Sequence, residues 1–361
     1  MNVREAIALA AHVAESRATV PILACVRVAN GHIIATDTMQ QIEIPIELPQ
    51  ALAKAAFCVQ AARLTKVLKA LPEDAEIDLQ VGDKQLIITS GPTRFELNTL
   101  PPEDFPLLGA EDDEPIEITL EAKALTAALN FIAPAMAVQD VRYYLLGAHF
   151  ALQPGRLMIT ATDGSRLHRV RLALDPDPQQ RPAEGIVARA SIARMIEIAE
   201  RHAEVNIGLG PRQIVITDQE TLFSKLIDGA FPNADQIIPS ARPVTASVDR
   251  EELAAAVKRV AQIHAGTKSC GVMLDFEPDH IAIGAKNAES ERAATRIEWN
   301  ITGKDFKALS AGFQHTFLID AFAAFSGERV FVHLGEKADD ALYLTDDADG
   351  SRQVVIMPTR L

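Results

Sequence analysis

The chain has 361 residues, 48% of them hydrophobic, and at about 100 to 200 residues per domain this length predicts two or three domains with sizeable cores. Its three cysteines are widely spaced without CxxC or CxxH patterns, which argues against a disulfide framework and a zinc site. With no apolar run of about 18 to 20 residues and no basic leader, we expect a soluble protein of the reducing cytoplasm. The formal net charge of −14 argues against binding to nucleic acid, unless lysine and arginine are gathered on one surface.

Two kinds of passage follow one another along the first third of the chain. Residues 3–48 are typical of an amphipathic helix followed by strands, one of which ends in Ala-Thr-Asp. Residues 60–106 are typical of a short helix, two β-rich runs around a Gly-Asp turn, and a closing strand. Alternating apolar residues such as Ile77, Leu79 and Val81 indicate half-buried strands.

Both passages recur twice more in the same order, which is the mark of an internal repeat. The first kind returns at 120–174 and 249–299, and the second kind returns at 190–232 and 319–358. Three copies of one unit predict six helices, and about eight strands in each copy. The predicted fold class is α+β, with two helices packed on antiparallel sheets in every unit.

Shifts in composition mark the boundaries between the units. Residues 101–115 are acidic and rich in proline, and residues 239–246 are polar and punctuated by proline. We therefore expect an N-terminal domain at 1–113, a central domain at 114–242 and a C-terminal domain at 243–361.

Basic residues concentrate on the predicted helices. The helix at 60–71 carries Arg63, Lys66 and Lys69 and no acidic residue, and a spacing of three places them on one side. A solvated face would explain such a stripe on one helix alone. A basic surface shared by several helices would instead hold a polyanion locally, although the helix at 321–325 has no basic residue. The later units contribute Arg189, Arg194 and Arg201, diluted by Glu197 and Glu200, and then Lys258 and Arg259.

Motifs for catalysis are missing from the sequence. It has no G-x-S-x-G, Walker loop or H-E-x-x-H pattern. Asp163, Ser165 and His168 in TATDGSRLHR would form a reactive cluster in a hydrolase, which is one rival interpretation. We prefer a tight hairpin turn at Asp163-Gly164, because Ala-Thr-Asp also occurs in the first unit. We therefore expect a non-catalytic protein that needs no cofactor or metal.

Two further features suit binding. Tyr143 and Tyr144 stand together after Gln139 and Arg142, and adjacent strand residues point to opposite faces, so at most one tyrosine is expected in the core. The other suits a contact with phosphate or with a base. The apolar C-terminal sequence VVIMPTRL is either a last strand or one wall of a peptide groove.

An ordered set of segments resembles the β subunit of bacterial DNA polymerase III, the family of sliding clamps. The set is VPILACVRV, FELNTLPPEDFPLL, MAVQDVRYYLLG, TATDGSRL, FSKLIDGAFPNADQIIP and the terminal VVIMPTRL, and it covers the whole chain. The resemblance implies three tandem DNA-clamp domains per chain and a head-to-tail dimer that closes into a six-domain ring. Helices would line the hole, and the ring would slide on duplex DNA without reading its sequence.

The resemblance also implies partners and site residues. The partners would be double-stranded DNA, the DNA polymerase III alpha subunit, an ATP-driven clamp loader and other proteins with a clamp-binding motif, with no membrane. DNA contacts would fall to Arg17, Lys69, Gln139, Arg142, Tyr143 and Tyr144. A pocket for partner peptides would be formed by Leu145, Thr162, Gly164, Ser165, Arg166, Leu167, Pro232, Ile237, Val355, Ile356, Met357, Pro358, Thr359, Arg360 and Leu361. Phe105 and Leu107 would meet Ile263 of a second copy at the dimer interface.

Two departures from the family pattern concern the pocket. We expect the helix of the third unit to be shortened around 318–325, and apolar residues replace the Asn and Tyr of well-known members there. Ser165 and Ser269 stand where bulkier side chains are common. The main rival to a clamp is a repeat scaffold that binds only proteins and does not encircle DNA.

Overall fold

The computed structural model describes most of the chain. The described residues are 2–15, 18–47, 55–109, 114–175, 180–239, 244–264, 271–301, 306–346 and 350–360. They form two compact units, the first made of residues 1–126 and 190–226 and the second of residues 127–189 and 227–361. Each unit therefore combines segments of two predicted domains, and the exact domain boundaries remain predictions.

Six α-helices occur in the described residues, as the repeat predicts. Two of them begin at side-chain caps: the Asn2 side chain accepts a hydrogen bond from the Glu5 N–H, and the Asp249 side chain accepts one from the Glu252 N–H. The helices are α1 Val3–Ala11, α2 Ala61–Ala70, α3 Ala122–Ile132, α4 Arg189–Ala199, α5 Arg250–Ala261 and α6 His315–Ala324.

The described residues contain 24 strands, and all of the strand pairs within the two units are antiparallel. In chain order they are β1 Cys25–Ala29, β2 His32–Thr36, β3 Gln40–Pro45, β4 Phe57–Gln60, β5 Asp78–Val81, β6 Gln85–Ser90, β7 Thr93–Leu100, β8 Ile116–Glu121, β9 Gly147–Gln153, β10 Arg156–Thr162, β11 Arg166–Ala173, β12 Ala183–Ala188, β13 Glu204–Leu209, β14 Gln213–Thr217, β15 Thr221–Ile227, β16 Val244–Asp249, β17 Gly271–Phe276, β18 His280–Lys286, β19 Arg292–Glu298, β20 Asn300–Ile301, β21 Leu309–Gln314, β22 Arg329–Leu334, β23 Leu342–Thr345 and β24 Arg352–Ile356.

The first unit is built on one long run of paired strands. The order is β8, β13, β14, β15, β3, β2, β1, β4, β7, β6 and β5. The pairing of β3 with β15 joins the first and second copies of the repeat into the same sheet. Helix α1 packs on α2 and on β2, and Ile7, Leu64 and Ile33 are buried there. Apolar burial on one face of each helix is what holds the helices against the sheet.

The second unit has two sheets. One follows the order β12, β9, β10, β11, β24, β23, β22, β16 and β20, and the other follows β19, β18, β17 and β21. The pairing of β11 with β24 joins the central and last copies of the repeat. Helices α5 and α6 pack on each other, and Val257, Leu318 and Phe322 are buried.

Two local expectations are wrong. The helix of the third unit is not shortened, because α6 has 10 residues, as many as α2. Tyr143 and Tyr144 do not lie in a strand, because the segment Tyr143–Leu145 is a 3-10 turn. Their side chains therefore do not alternate across a sheet. None of the helices in the described part of the chain combines the length and apolar character that crossing a membrane requires.

Candidate functional site

A hairpin and the last strand of the chain form the frame of a groove. The loop between β10 and β11 turns at Gly164, whose φ of +89° is a left-handed conformation that favours glycine. Strand β24 pairs along the outer edge of β11, with Arg166 opposite Ile356. Past the end of β24, the Met357 N–H donates a hydrogen bond of 2.9 Å to the Ser165 carbonyl. The C-terminal segment is thus fixed beside the hairpin loop.

The groove has a volume of about 500 Å³ and a mainly apolar lining. Its floor includes Leu167 and Val355, which share a buried cluster with Ala234. Ile237 and Met357 stand at the groove with 38% and 44% of their surfaces exposed. Side chains that are apolar and exposed beside a concave floor are typical of a binding groove.

Ten of the residues predicted for the partner pocket line this groove. They are Leu145, Thr162, Gly164, Ser165, Arg166, Leu167, Pro232, Ile237, Val355 and Met357. Four lining residues were absent from that prediction as pocket residues: Arg142, Tyr144, Gln236 and Ala341. No local sequence pattern marks Gln236 or Ala341, because each reaches the groove only through the folding of distant segments.

Four other predicted pocket residues do not line the groove. Ile356 is fully buried, and Pro358, Thr359 and Arg360 follow the last lining residue. The Thr359 N–H donates to the Gly312 carbonyl at 2.8 Å, which directs the chain end toward β21. Leu361 lies outside the described residues.

Charged pairs hold one wall of the groove. The Arg142 guanidinium donates to both carboxylate oxygens of Asp140 at 3.0 and 2.7 Å and to the Asp163 carbonyl at 3.2 Å. The Arg166 guanidinium donates to Asp163 at 3.0 Å and to Asp320 at 2.6 Å. These bonds join the hairpin loop to α6 and fix both arginine side chains.

Further contacts support these arginines. The Arg166 guanidinium lies 4.4 Å from the centre of the Phe317 ring, a cation–π distance. Hydrogen bonds from Arg142 hold the pKa of the Asp140 carboxyl near 2, well below its ordinary value, and the same pairing raises the pKa of Arg142. Both groups therefore stay charged at neutral pH.

The described residues that are predicted to contact DNA lie on helix α2 and on or next to the loop 138–143. Lys69 is exposed on α2 together with Arg63 and Lys66, while Arg17 lies outside the described residues. Gln139 and Tyr143 are exposed on the loop 138–143.

The same loop exposes two apolar side chains and leads into the groove. Val138 and Val141 are 75% and 97% exposed. The Tyr143 and Tyr144 rings meet edge to face at 5.9 Å, and Tyr144 lines the groove. The loop 138–143 therefore presents Gln139 and Tyr143 outward, while Arg142 and the following Tyr144 face the groove.

Most arginines of the second repeat have partners in the fold. Arg194 pairs with Glu197 at 2.9 Å, and Arg201 lies 3.7 Å from both Glu5 and Glu220. Arg201 also follows the end of α4, so the helix itself is less basic than the sequence suggests. By contrast, Lys258 and Arg259 are exposed in the last turn of α5.

The predicted interface residues differ in exposure. Leu107 is 53% exposed, and Ile263 is partly buried at the end of α5. Phe105 is only 5% exposed and packs in a core cluster with Ile22, Cys25 and Cys58. Its side chain therefore anchors the segment that presents Leu107 in the core, and its role at the dimer interface stays a prediction.

A hydrolase based on His168 finds no support in the geometry. His168 is fully buried, and its Nδ1 donates to the Phe131 carbonyl at 2.8 Å. Burial lowers the pKa of His168 to about 4, so the ring is neutral at physiological pH. Asp163 is engaged by the loop amides and by Arg166, which makes it part of the hairpin turn. Within the described residues, no group of three or more His, Cys, Asp or Glu side chains is arranged to hold a metal ion.

Comparisons with known proteins agree over the whole chain. Family models for the DNA polymerase III beta subunit match residues 2–109 (N-terminal domain), 119–233 (central domain) and 235–360 (C-terminal domain). The beta sliding clamp of Pseudomonas aeruginosa is 33% identical over 360 residues, which cover 98% of this chain and 96% of that protein. The Escherichia coli K12 beta sliding clamp is 30% identical over 353 residues, with coverage of 96% and 94%.

Solved structures give the same result. The crystal structure of the DNA polymerase III β subunit from Pseudomonas aeruginosa matches with a TM-score of 0.91 at 30% identity, covering 99% of this chain and 98% of that one. A sliding clamp from the same organism bound to griselimycin matches with a TM-score of 0.90 at 30% identity, covering 99% and 97%. The chain therefore belongs to the DNA polymerase III beta subunit family, and it is a DNA sliding clamp, a non-catalytic processivity subunit of three clamp domains.

Proposed function

We propose that two copies of this chain close head to tail into a six-domain ring around duplex DNA and tether DNA polymerase through the groove beside Met357. The observation that carries the proposal is the groove itself, which gathers ten predicted partner-binding residues from four separated segments of a sliding-clamp chain. The partners are the DNA polymerase III alpha subunit, the clamp loader and other proteins with a clamp-binding motif. The ring works in the cytoplasm on chromosomal DNA and needs no cofactor of its own.

Exposed cations supply the contact with DNA. Arg63, Lys66 and Lys69 are exposed on α2, and no carboxylate among the described residues pairs with them. Gln139 and Tyr143 add polar and aromatic contacts from the loop 138–143. Contacts with phosphate are independent of sequence and weaken with salt, so they permit sliding. Closure of the ring, and not affinity, then prevents escape from the DNA.

The groove suits an extended peptide with apolar side chains. Leu167 and Val355 offer an apolar floor, and Met357 and Ile237 offer adaptable walls. Methionine is flexible and polarisable, so it adapts to different peptides. This suits a clamp that serves several partners through one docking site.

The dimer interface joins two different surfaces of the chain. We place Leu107 of one copy against Ile263 of the other. Phe105 anchors the segment that carries Leu107 in the core of its own chain. Because the two surfaces differ, the contact is head to tail, and a two-fold repeat of it closes a ring.

Retention on DNA tests the encircling mechanism. The clamp is loaded onto nicked circular DNA by an ATP-driven loader and is then separated by gel filtration at moderate salt. We expect the ring to stay on the circle and to leave when a restriction enzyme linearises the DNA. Equal loss from circular and linear DNA would refute encirclement and favour a scaffold that binds only proteins.

A truncation tests the groove. Removing residues 357–361 deletes the Met357 wall and should abolish binding of a polymerase-derived peptide while sedimentation still shows a dimer. Lys337→Ala is the matched control, because Lys337 is exposed between β22 and β23 and does not line the groove. Unchanged peptide affinity in the truncated chain would refute the assignment of the groove.

A further inference from the structure

Arg142 stands between the two proposed contact surfaces. It belongs to the loop 138–143, whose exposed Gln139 and Tyr143 are proposed to meet DNA. Its guanidinium, however, lines the groove, where NH1 and NH2 both lie 2.8 Å from the point that a side chain on Gly164 would occupy. The Arg142 side chain can thus contact either DNA or a partner peptide, and its orientation decides which of the two it binds.

Asp140 sets that direction. Its Oδ1 accepts hydrogen bonds from the Arg142 backbone N–H at 2.8 Å and from Arg142 Nε at 3.0 Å, and its Oδ2 accepts from Nη2 at 2.7 Å. The two carboxylate oxygens match the planar geometry of the guanidinium. A phosphate would therefore have to replace two hydrogen bonds with a single contact. The Asp140 side chain is itself only 17% exposed.

The paired guanidinium is also tied to the hairpin loop. Arg142 Nη2 donates to the Asp163 carbonyl at 3.2 Å. The Asp163 carboxylate accepts from the Ser165 and Arg166 N–H groups, and it pairs with the Arg166 side chain. A side chain at residue 164 would collide with the guanidinium, so the glycine leaves room for the position that Asp140 imposes.

We propose that Asp140 is a positioning residue that withdraws Arg142 from DNA and commits it to the wall of the partner groove. The inference rests on the proposed function of the groove and of the loop 138–143. It assigns opposite consequences to the loss of Asp140. Arg142 leaves the groove wall, so the groove binds peptide less well, and the released guanidinium reaches phosphate, so DNA is bound more strongly.

The test is a double-mutant cycle with two readouts. Asp140→Asn keeps an oxygen for the Arg142 backbone N–H but loses the carboxylate, and Asp140→Ala removes both. Peptide affinity is measured with a fluorescein-labelled peptide from the clamp-binding segment of the polymerase alpha subunit. DNA affinity is measured with a short duplex over a range of salt concentrations.

We expect Asp140→Asn to weaken the peptide by about three- to tenfold. The same variant should make the salt dependence of DNA binding steeper by about one phosphate contact. In an Arg142→Ala background, replacing Asp140 should change neither readout further, because the cation that it positions is gone. A residue that only supports the fold would lower both affinities or neither.

A charge control accompanies the cycle. Asp83→Asn removes one negative charge at an exposed turn between β5 and β6, and Asp83 is not one of the groove-lining residues. It should leave peptide binding unchanged and report the general effect of charge on DNA affinity. If Asp140→Asn acts equally with and without Arg142, or weakens both ligands, the proposal is overturned. If the unaltered clamp itself fails to bind the peptide, it is the proposed groove that fails.

Discussion

Acidification should destabilise the second unit through His168, a residue with no part in binding. The perturbation is a change from pH 7 to pH 5. His168 is fully buried, with its Nδ1 hydrogen on the Phe131 carbonyl and its ring 5.3 Å from the Phe131 ring. Its Nε2 has no hydrogen-bond partner among the described residues. Protonation would therefore place a new N–H and a charge where no acceptor among the described residues compensates them.

The pKa of His168 gives the size of the effect. Burial is the main cause that lowers it from 6.5 to about 4, and the carbonyl of Phe131 opposes the shift. Because the folded pKa is depressed, the unfolded chain takes up the proton first, so stability is full above pH 6.5 and is lost as the pH falls toward 4. Between pH 7 and pH 5, linkage gives a loss of about 2 kcal/mol in the free energy of unfolding.

Urea unfolding followed by tryptophan fluorescence measures this loss directly. Trp299 is the only tryptophan of the chain and is buried in the same unit, with its Nε1 donating to the Glu277 carbonyl at 2.8 Å. The comparison is with His168→Asn, whose amide retains a donor for the Phe131 carbonyl but does not titrate.

The difference between the stability losses of the two proteins isolates the contribution of His168, because all other titratable groups are the same in both. The unaltered chain should lose about 2 kcal/mol more than the variant between pH 7 and pH 5. Equal losses in the two proteins would refute the reasoning, since His168 would then titrate alike in the folded and unfolded states.

Three further predictions follow from the groove, the interface and α2. Gly164→Ala should cost about 1 to 2 kcal/mol of backbone strain and lower peptide affinity at least about tenfold in fluorescence anisotropy, because the methyl group displaces Arg142. Phe105→Ala should lower the free energy of unfolding by about 3 to 5 kcal/mol, whereas Leu107→Ala should leave it within about 0.5 kcal/mol and raise the dimer dissociation constant in sedimentation. Replacing the three basic residues of α2 by glutamine should reduce the salt slope of DNA binding by up to about 3, with peptide affinity unchanged as the control.

The repeat and the strands were predictable because they depend on local periodicity. Alternation at Val205, Ile207 and Leu209 follows the face of β13, and all three residues are buried. The turn at Asp163-Gly164 was also predictable, because a left-handed glycine leaves a local signature. Such features depend on neighbours in sequence, so the sequence displays them.

Features that the sequence did not reveal mostly depend on contacts between residues that are distant in sequence. Arg166 meets Asp320 across 154 positions, and nothing near either residue announces the pair. The adjacent tyrosines were assigned to a strand because a 3-10 turn and a short strand look alike over three residues. The burial of Phe105 has no local signature either, because it depends on Cys25 and Cys58, which come from two other strands.

The net charge of −14 is compatible with DNA binding, because the arginines and the lysines have different roles. Arginines such as Arg166 and Arg250 are held by carboxylates or by backbone carbonyls, where their planar forks fasten one element to another. Lysines such as Lys66, Lys69 and Lys258 stay exposed on helices. A flexible ammonium group attracts phosphate without a fixed geometry, which is what a sliding surface requires. Many of the carboxylates in the net charge thus serve the fold, and the helix cations remain available to a polyanion that the rest of the surface repels.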